Sequence, residues 1–325
     1  MTISALREVA IGVADLAQRT AFYHDAFGLT VVHQGSIDRG HAEALYGMRE
    51  PIPMTCLARP DVPHGVRLRL MQLDGPEGRA STDVRLPGPV GIGFTTAGVQ
   101  PIFERVRQAG VRFQSEPVKL TPGAAADDPY RYEAFGQAGD GEYIVLIERG
   151  NTPVPYGDIS RDSGVSQPLH TSHTVADLSA ATRFMEAVLG HQVIVHEHCE
   201  GPMFEGLMGL PAGQRFDFDM LWHPANSTGR IVLMQFDGIG GDPPNVQPPM
   251  RGICALRYDT ADLDRLLPTI EPAGGRIMRG PLTVDSEALG RGRVVTVMPP
   301  IGTLFEIWEP ALDDNPTGGF GERVG

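Results

Sequence analysis

The beginning of the chain carries two successive hydrophobic patterns. Apolar residues alternate with other residues over residues 6–13, which predicts a β-strand. Apolar and aromatic side chains then recur at helical spacing over residues 17–27, which predicts an amphipathic helix. Asp15 can accept backbone N–H bonds as the N-cap of this helix, and Gly28 can adopt the positive φ of its C′ position.

Three further strands are predicted downstream of this helix. Residues 30–33, 54–58 and 66–73 are rich in β-favouring side chains, and Gly, Pro and Asp residues separate them. The predicted unit is therefore a βαβββ module.

The same pattern returns later in the chain. Val13-Ala-Asp-Leu16 recurs as Val175-Ala-Asp-Leu178, at an offset of 162 residues. After a slip of one residue the match resumes with Arg67 and Arg230. Other matching pairs are Phe22 and Phe184, Gly28 and Gly190, Glu43 and Glu205, Gly47 and Gly209, and Met71 and Met234. A repeat of this kind indicates a duplication and fixes the architecture before any local prediction.

Each half of the chain predicts a second, less similar module. In the first half, a strand at 91–96, a helix at 99–109 and a closing strand at 143–148 follow the first module. In the second half, the corresponding elements are a strand at 253–258, a helix at 261–270 and a closing strand at 303–309. The sequence thus predicts an α+β protein of four modules, with one domain at 1–150, a linker rich in turn formers at 151–167 and a second domain at 168–325.

Composition narrows the class of protein. The 325 residues are 41% hydrophobic and 21% charged, which is typical of a soluble globular protein of roughly two domains. No apolar run approaches the roughly 18 residues of a membrane span, and we expect a cytoplasmic protein with three structural thiols, Cys56, Cys199 and Cys254. The net charge of −13 disfavours nucleic acid and anionic membranes as partners, and we expect a small-molecule partner and a monomer or homodimer.

The repeated motifs resemble those of the vicinal oxygen chelate superfamily, which includes glyoxalase I, bleomycin and fosfomycin resistance proteins, methylmalonyl-CoA epimerases and extradiol dioxygenases. The resemblance rests on Val-Ala-Asp-Leu in both halves, on Phe22-Tyr23 and Phe184-Met185, and on the module ending Gly302-Thr-Leu-Phe-Glu306-Ile-Trp-Glu309-Pro. It covers about 6–149 and 168–310. It implies that the four βαβββ modules form two tandem half-open barrel, glyoxalase-like domains, each shaped as a cup.

The resemblance also implies where ligands of a metal would lie. The position seven residues before the capping Asp is Glu8 in the first domain and His170 in the second, and a last-strand position is Glu306. We expect the first domain to be metal-free. For the second domain, His170, Glu306 and Gln235 are the candidate ligands of a divalent metal, Fe, Mn, Zn or Ni. The alternatives for the third ligand are Tyr258, His173, His198 and His223.

Without a metal, Glu306 and His170 are the candidate acid–base pair. A carboxylate among Leu304, Phe305, Ile307 and Trp308 would be costly to bury without a partner, and we expect desolvation to raise its pKa, which would make Glu306 a candidate general base near neutral pH. The candidate substrate-binding side chains are Tyr258, Met234, Phe305 and Trp308.

Three functions follow from these expectations. The first is an enzyme that acts on an oxygenated, possibly aromatic, organic substrate as a lyase, isomerase or epimerase, with its site in the second domain. The alternatives are an extradiol-type ring-cleaving dioxygenase and a non-catalytic protein that binds and sequesters a small molecule such as a drug. Separately, His196-Glu197-His198 has the spacing of metal ligands on one face of a strand, although an ordinary solvent-edge strand explains it equally well.

Overall fold

The computed structural model of the protein describes residues 6–59, 61–62, 65–78, 82–120, 130–150, 158–224 and 229–311. The first part of the predicted linker, 151–157, lies outside these residues. None of the helices within the described ranges has the length and apolar character that crossing a bilayer requires.

The described elements fall into four modules in chain order. Module 1 contains β1 (Glu8–Val13), α1 (Leu16–Phe27), β2 (Thr30–Ile37), α2 (Arg39–Tyr46), β3 (Ile52–Ala58) and β4 (Arg67–Gln72). Module 2 contains β5 (Gly88–Thr95), α3 (Val99–Gln108), β6 (Arg112–Phe113), β7 (Val118–Leu120), β8 (Tyr130–Gln137) and β9 (Tyr143–Gly150). Module 3 contains β10 (His170–Thr174), α4 (Leu178–Leu189), β11 (Gln192–Cys199), α5 (Pro202–Met208), β12 (Phe216–Trp222) and β13 (Arg230–Phe236). Module 4 contains β14 (Gly252–Asp259), α6 (Leu263–Ile270), β15 (Arg276–Ser286), β16 (Gly290–Met298) and β17 (Leu304–Pro310).

The predicted helix caps are confirmed in both copies of the duplication. Asp15 accepts a hydrogen bond from the Gln18 amide at 2.9 Å, and Gly28 ends α1 in the left-handed region at φ 70°. Asp177 accepts from the Ala180 amide at 2.8 Å, and Gly190 ends α4 at φ 68°. Local side-chain chemistry therefore fixes the start and end of these two helices.

The sequence-based description of the module lacked one element. A short helix, α2 or α5, lies between the second and third strands of modules 1 and 3. Asp38 caps α2 by accepting from the His41 amide at 3.1 Å, and Gly47 and Gly209 end the two helices with positive φ. These helices explain why Glu43 and Glu205 recur in similar settings: each lies in one of them.

The strands form two sheets that combine modules from both halves of the chain. The eight-stranded sheet has the order β15-β16-β17-β14-β1-β4-β3-β2 and joins modules 1 and 4. The nine-stranded sheet has the order β11-β12-β13-β10-β5-β9-β8-β6, with β7 beside β8, and joins modules 2 and 3. We call the first sheet the outer half-barrel and the second the inner half-barrel.

The predicted α+β fold of four modules in two half-barrels is confirmed, and the pairing corrects one expectation about the site. The two modules of each sheet meet at the first strand of each module, where Glu8 pairs with Arg257 and His170 pairs with Gly93. Each half of the chain thus contributes one module to each half-barrel. His170 on β10 and Glu306 on β17 therefore lie in different sheets, so they do not face one shared cup.

A central core joins the two sheets. The helices α1, α3, α4 and α6 pack there against one face of each sheet, and their apolar side chains form a single buried cluster. Phe27 of α1 stacks on Phe94 of β5 with ring centroids 4.2 Å apart, and Phe184 of α4 lies 6.2 Å from Phe305 of β17. The opposite face of each sheet forms a cup, and the chemistry of the two cups differs.

Candidate functional site

The cup of the outer half-barrel contains a buried ion triad. The side chain of Arg69 on β4 lies between two carboxylates, with Nε 3.1 Å from Glu8 Oε1 and Nη2 2.7 Å from Glu306 Oε1. The three side chains are at most 4% exposed. Because Arg69 is permanently charged and bridges both carboxylates, the triad compensates the charges that burial would otherwise destabilise.

Neighbouring side chains complete this network. Tyr46 of α2 donates its hydroxyl to Glu306 at 2.6 Å, and Trp308 Nε1 donates to the other carboxylate oxygen at 3.4 Å. Burial raises the pKa of Glu8, but the positive charges of Arg69, Arg67 and Arg257 more than offset it, so the pKa lies below its usual value. Burial raises the pKa of the Tyr46 hydroxyl well above its usual value, so Tyr46 stays a neutral donor.

The residues of the outer cup do not fit a divalent metal. The guanidinium of Arg69 lies between the two carboxylates that could have served as ligands, and a second cation there would be repelled at close range. Buried apolar side chains, including Trp308 and Met71, fill the rest of this cup. The outer cup is therefore a structural ion cluster in a packed core.

The inner half-barrel has a different set of side chains at the equivalent strand positions. The strands of the two half-barrels pair in equivalent registers. Ala10 pairs with Arg69 in the outer half-barrel, and Ser172 pairs with Val232 in the inner one. The counterparts are His170 for Glu8, Val232 for Arg69, Val145 for Glu306 and Gly93 for Arg257. One histidine and small apolar residues thus replace the ion triad.

This replacement leaves an open cavity in the inner half-barrel. Its volume is about 220 Å³, and α5 and six strands line it. The lining is mainly aromatic, Met and aliphatic, namely Phe135, Phe204, Phe216, Phe218, Met208, Met220, Met234, Leu207, Val145, Ile147, Val195 and Val232. A concave, mostly apolar space with few polar groups is the usual form of a small-molecule site.

His170 is a buried polar side chain at the wall of this cavity. It is 5% exposed, and its Nδ1 atom has no hydrogen-bond partner among the described residues. Burial, reinforced by the charges of Arg230 and Arg149, lowers the pKa of His170 to about 3. The imidazole is therefore neutral near pH 7 and can donate one hydrogen bond and accept another.

Gly93 makes room for the His170 ring. A Cβ atom at Gly93 would overlap the imidazole, whose ring atoms lie directly over the glycine. Gly93 has extended backbone in β5, so its role is to provide space rather than an unusual conformation. The histidine and the glycine opposite it in the strand register form one structural unit.

Charged side chains lie at one wall of the cavity. Arg131 Nε is 2.7 Å from Glu133 Oε1, and Arg131 Nη2 is 3.9 Å from Glu197 Oε2. Arg149 is the strand neighbour of Arg131 and also lines the cavity. This wall gives an otherwise apolar site a polar side on which a ligand can be oriented.

The residues of the inner cup do not fit a metal either. No group of three or more His, Cys, Asp and Glu side chains is arranged to hold an ion within the part of the chain that the structure describes. His170 would be the nitrogen ligand, but its neighbours at the equivalent positions are Val232, Val145 and Gly93, which offer no donor side chains. We therefore derive no chemistry through a metal.

The structure separates the site residues that the sequence suggested. Met234, a candidate substrate-binding side chain, lines the inner cavity together with His170. Tyr258 and Phe305 are 0% exposed in the central core, and Trp308 is 0% exposed in the outer cup, so none of the three lines the cavity. These three side chains lie outside the inner cavity because module 4 pairs with module 1.

The proposed third metal ligand, Gln235, also lies elsewhere. Its Oε1 atom accepts a hydrogen bond from the Leu178 amide at 2.8 Å, at the beginning of α4. Met234 faces the cavity, so the next residue on β13 faces the opposite side of the sheet. Of the two histidines on β10, His170 lines the cavity, while His173 lies 3.2 Å from Thr171 Oγ1 in the buried interior.

Sequence reasoning missed Arg69 and Gly93. Arg69 aligns with Val232 in the internal repeat, so the sequence shows a charged residue in one copy and an apolar residue in the other. The role of this difference cannot be inferred without knowing which strands pair. Gly93 lies in a run of alternating glycines, Gly91-Ile-Gly93, which signals close approach to a neighbouring group.

The fold and the two cups define a glyoxalase-like protein with duplicated βαβββ modules. The family model of the Glyoxalase/Bleomycin resistance protein/Dioxygenase superfamily matches residues 5–133 and 167–289. The chain therefore belongs to this superfamily.

Two solved structures share the whole architecture. Glyoxalase I from Zea mays superposes with a TM-score of 0.63 at 16% identity, covering 94% of this chain and 92% of that chain. A proposed dioxygenase from Bacillus subtilis superposes with a TM-score of 0.56 at 13% identity, covering 94% of this chain and 85% of that chain. At this identity the likeness concerns the fold alone. A comparison with curated protein sequences finds no match.

Proposed function

We propose that the inner half-barrel binds and sequesters a small, mainly apolar molecule of aromatic character. The observation that carries this proposal is the contrast between the two cups. The ion triad of Glu8, Arg69 and Glu306 closes the outer cup, whereas the equivalent positions of the inner cup leave a cavity of about 220 Å³. That volume suits a molecule of one or two rings.

The polar groups around His170 favour a ligand that carries an oxygen or a negative charge. His170 Nδ1 is buried without a partner among the described residues, so a ligand hydrogen bond there would remove an unfavourable desolvation. The positive charges of Arg230 and Arg149 act on this ring. A carboxylate or phenol oxygen beside His170 would meet both conditions.

The geometry gives less support to lyase, isomerase or epimerase chemistry. The sequence-based hypothesis needed Glu306 and His170 in one site, but they lie in different half-barrels. Glu306 is 0% exposed and held by Arg69 and Tyr46, and a His170 with a pKa of about 3 is a weak base near pH 7. The dioxygenase alternative requires a metal that the donor set does not fit. Sequestration needs none of these groups.

The experiment that tests the proposal uses 1-naphthoate and its uncharged analogue 1-naphthalenemethanol as probes. We expect calorimetry and ligand-observed NMR to detect saturable binding to the wild type, with the carboxylate bound more tightly. Val232→Phe should abolish binding because its ring fills the cavity. Met71→Leu, a conservative change in the packed outer cup, should leave binding unchanged.

The fate of the probe completes the test. Chromatography after prolonged incubation should return the probe unaltered. Binding that Val232→Phe leaves intact, or no binding of either probe, would refute the assignment of the site. Conversion of a probe to a product that disappears in Val232→Phe would refute sequestration and make the cavity an active site.

A further inference from the structure

Two histidines lie side by side on the outside of the inner half-barrel. His196 and His198 are on β11, the edge strand of the nine-stranded sheet, and their side chains are 65% and 51% exposed. They alternate with Val195 and Glu197, which line the cavity. Because successive side chains of a strand point to opposite faces, both imidazoles project from the face away from the cavity.

Each imidazole is paired with an aspartate directly across the strand register. His196 Nδ1 lies 2.6 Å from Asp219 Oδ1, and His198 Nδ1 lies 2.7 Å from Asp217 Oδ1. A carboxylate can only accept, so each Nδ1 carries a hydrogen and donates it. In the neutral ring the lone pair is then on Nε2.

Asp219 is itself fixed in position. It is 6% exposed, and the Thr182 hydroxyl donates to its second oxygen at 2.6 Å. The aspartate that orients His196 is thus held by α4, while the imidazole it orients is in solvent. An exposed histidine with a buried carboxylate behind Nδ1 has the arrangement found in metal-ligating histidines, where the carboxylate fixes the tautomer and raises ligand basicity.

We propose that His196 and His198 bind one divalent transition-metal ion through their Nε2 atoms, with Asp219 and Asp217 as the groups that orient them. Imidazole nitrogen suits Cu²⁺, Ni²⁺ and Zn²⁺. Water completes the coordination, because no cluster of three or more protein ligands occurs among the described residues.

This site is separate from the proposed ligand cavity. The two histidines and the cavity-lining residues of β11 lie on opposite faces of the same strand, so a metal bound outside does not contact a molecule bound inside. Ordinary stabilisation of an edge strand by cross-strand pairs would explain the two His–Asp contacts, but it predicts no affinity for metal. Metal binding therefore decides between the two explanations.

The test is calorimetric titration of the tag-free protein with Cu²⁺ and Zn²⁺ chlorides, one metal at a time. We expect one equivalent to bind, Cu²⁺ more tightly than Zn²⁺. His196→Gln and His198→Gln should each abolish this binding. Asp219→Asn should weaken it by about 10–100-fold, as expected for a group that orients a ligand. The Cu²⁺ complex should show electron paramagnetic resonance couplings from two imidazole nitrogens.

His41→Gln is the matched control. His41 also holds Nδ1 against a carboxylate, that of Asp38, but it lies on α2, where the residues one turn further along, Ala44 and Leu45, offer no second imidazole. Wild-type affinity in the double variant His196→Gln/His198→Gln would overturn the proposal. Binding that survives in this double variant but disappears in His170→Ala would overturn it as well, because the metal would then lie in the cavity.

Discussion

Arg69 and Glu306 form a buried ion pair, with Nη2 and Oε1 2.7 Å apart, between strands that come from opposite ends of the chain. The side chains are 1% and 0% exposed. Glu8 binds the other side of the same guanidinium at 3.1 Å. One arginine therefore pairs with two carboxylates and ties module 1 to module 4.

Removing the arginine should destabilise the protein strongly. Arg69→Met keeps the length of the side chain but leaves two buried carboxylates without a counter-charge, and we expect the free energy of unfolding to fall by about 3–5 kcal/mol. Urea unfolding followed by circular dichroism measures this loss. The triple variant Glu8→Gln/Arg69→Met/Glu306→Gln, which removes all three charges, should be closer to wild type, and an equal or larger loss in it would contradict this account.

Crowding the His170 ring should weaken both folding and binding. Gly93→Ala introduces a Cβ atom into the space of the imidazole, so the ring must move. We expect a loss of about 1–3 kcal/mol in the free energy of unfolding from overpacking and at least a tenfold loss in naphthoate affinity. Gly240→Ala is the control, because a Cβ there meets no atom within 4 Å. Unchanged affinity in Gly93→Ala would show that His170 does not orient the ligand.

Stability should fall with acid because two histidines are buried in neutral form. Burial lowers the pKa of His170 and of His191 to about 3, with further contributions from Arg230 and Arg149 at His170 and from His223 at His191. In the unfolded chain a histidine has a pKa of about 6.5. The unfolded state therefore binds more protons between these pH values, and the free energy of unfolding decreases as the pH falls from about 6.5 toward 3.

The expected slope is about 1.4 kcal/mol per pH unit for each histidine in the middle of this window. Urea unfolding at several pH values measures it. His170→Asn and His191→Phe should each reduce the slope, since neither replacement titrates there. Identical slopes in the wild type and in both variants would exclude this origin of acid sensitivity.

Removing the N-cap of α4 should lower the stability of the protein by a smaller amount. Asp177→Ala removes the carboxylate that accepts from the Ala180 amide, and we expect thermal unfolding to report a loss of about 1 kcal/mol. Asp177→Asn retains an acceptor at the same position and should lose less. If the alanine and asparagine variants were equally stable, the side-chain cap would contribute nothing.

The modules could be predicted because their signals are local. Asp15 and Gly28 mark the ends of a helix through hydrogen bonds and dihedral angles that depend on a few neighbouring residues, and the repeat at Asp177 and Gly190 confirms the reading. The pairing of modules could not be predicted in the same way. β1 can satisfy its free edge with β14 or with β5, and both arrangements are compatible with the same local patterns.

The candidate site could be predicted only in part, for the same reason. The repeat identified Glu8 and His170 as equivalent positions, and the strand registers agree with that equivalence. The repeat does not show that Arg69 contacts both Glu8 and Glu306, because these three residues come together only when module 4 pairs with module 1. The decisive difference between the two cups is therefore a contact between modules 1 and 4 within one sheet, which no single module encodes.

The crossed pairing also sets an order of events during synthesis. Tyr46 and Glu306, whose side chains are 2.6 Å apart, are separated by 260 positions in the chain. As the ribosome extends the chain, β1 leaves it with an open edge that waits until β14 is made, while modules 2 and 3 can close the inner half-barrel first. The edge of β1 that pairs with β14 therefore has no partner strand until residues 252–259 have been synthesised, and an unpaired edge of this kind can pair with other chains.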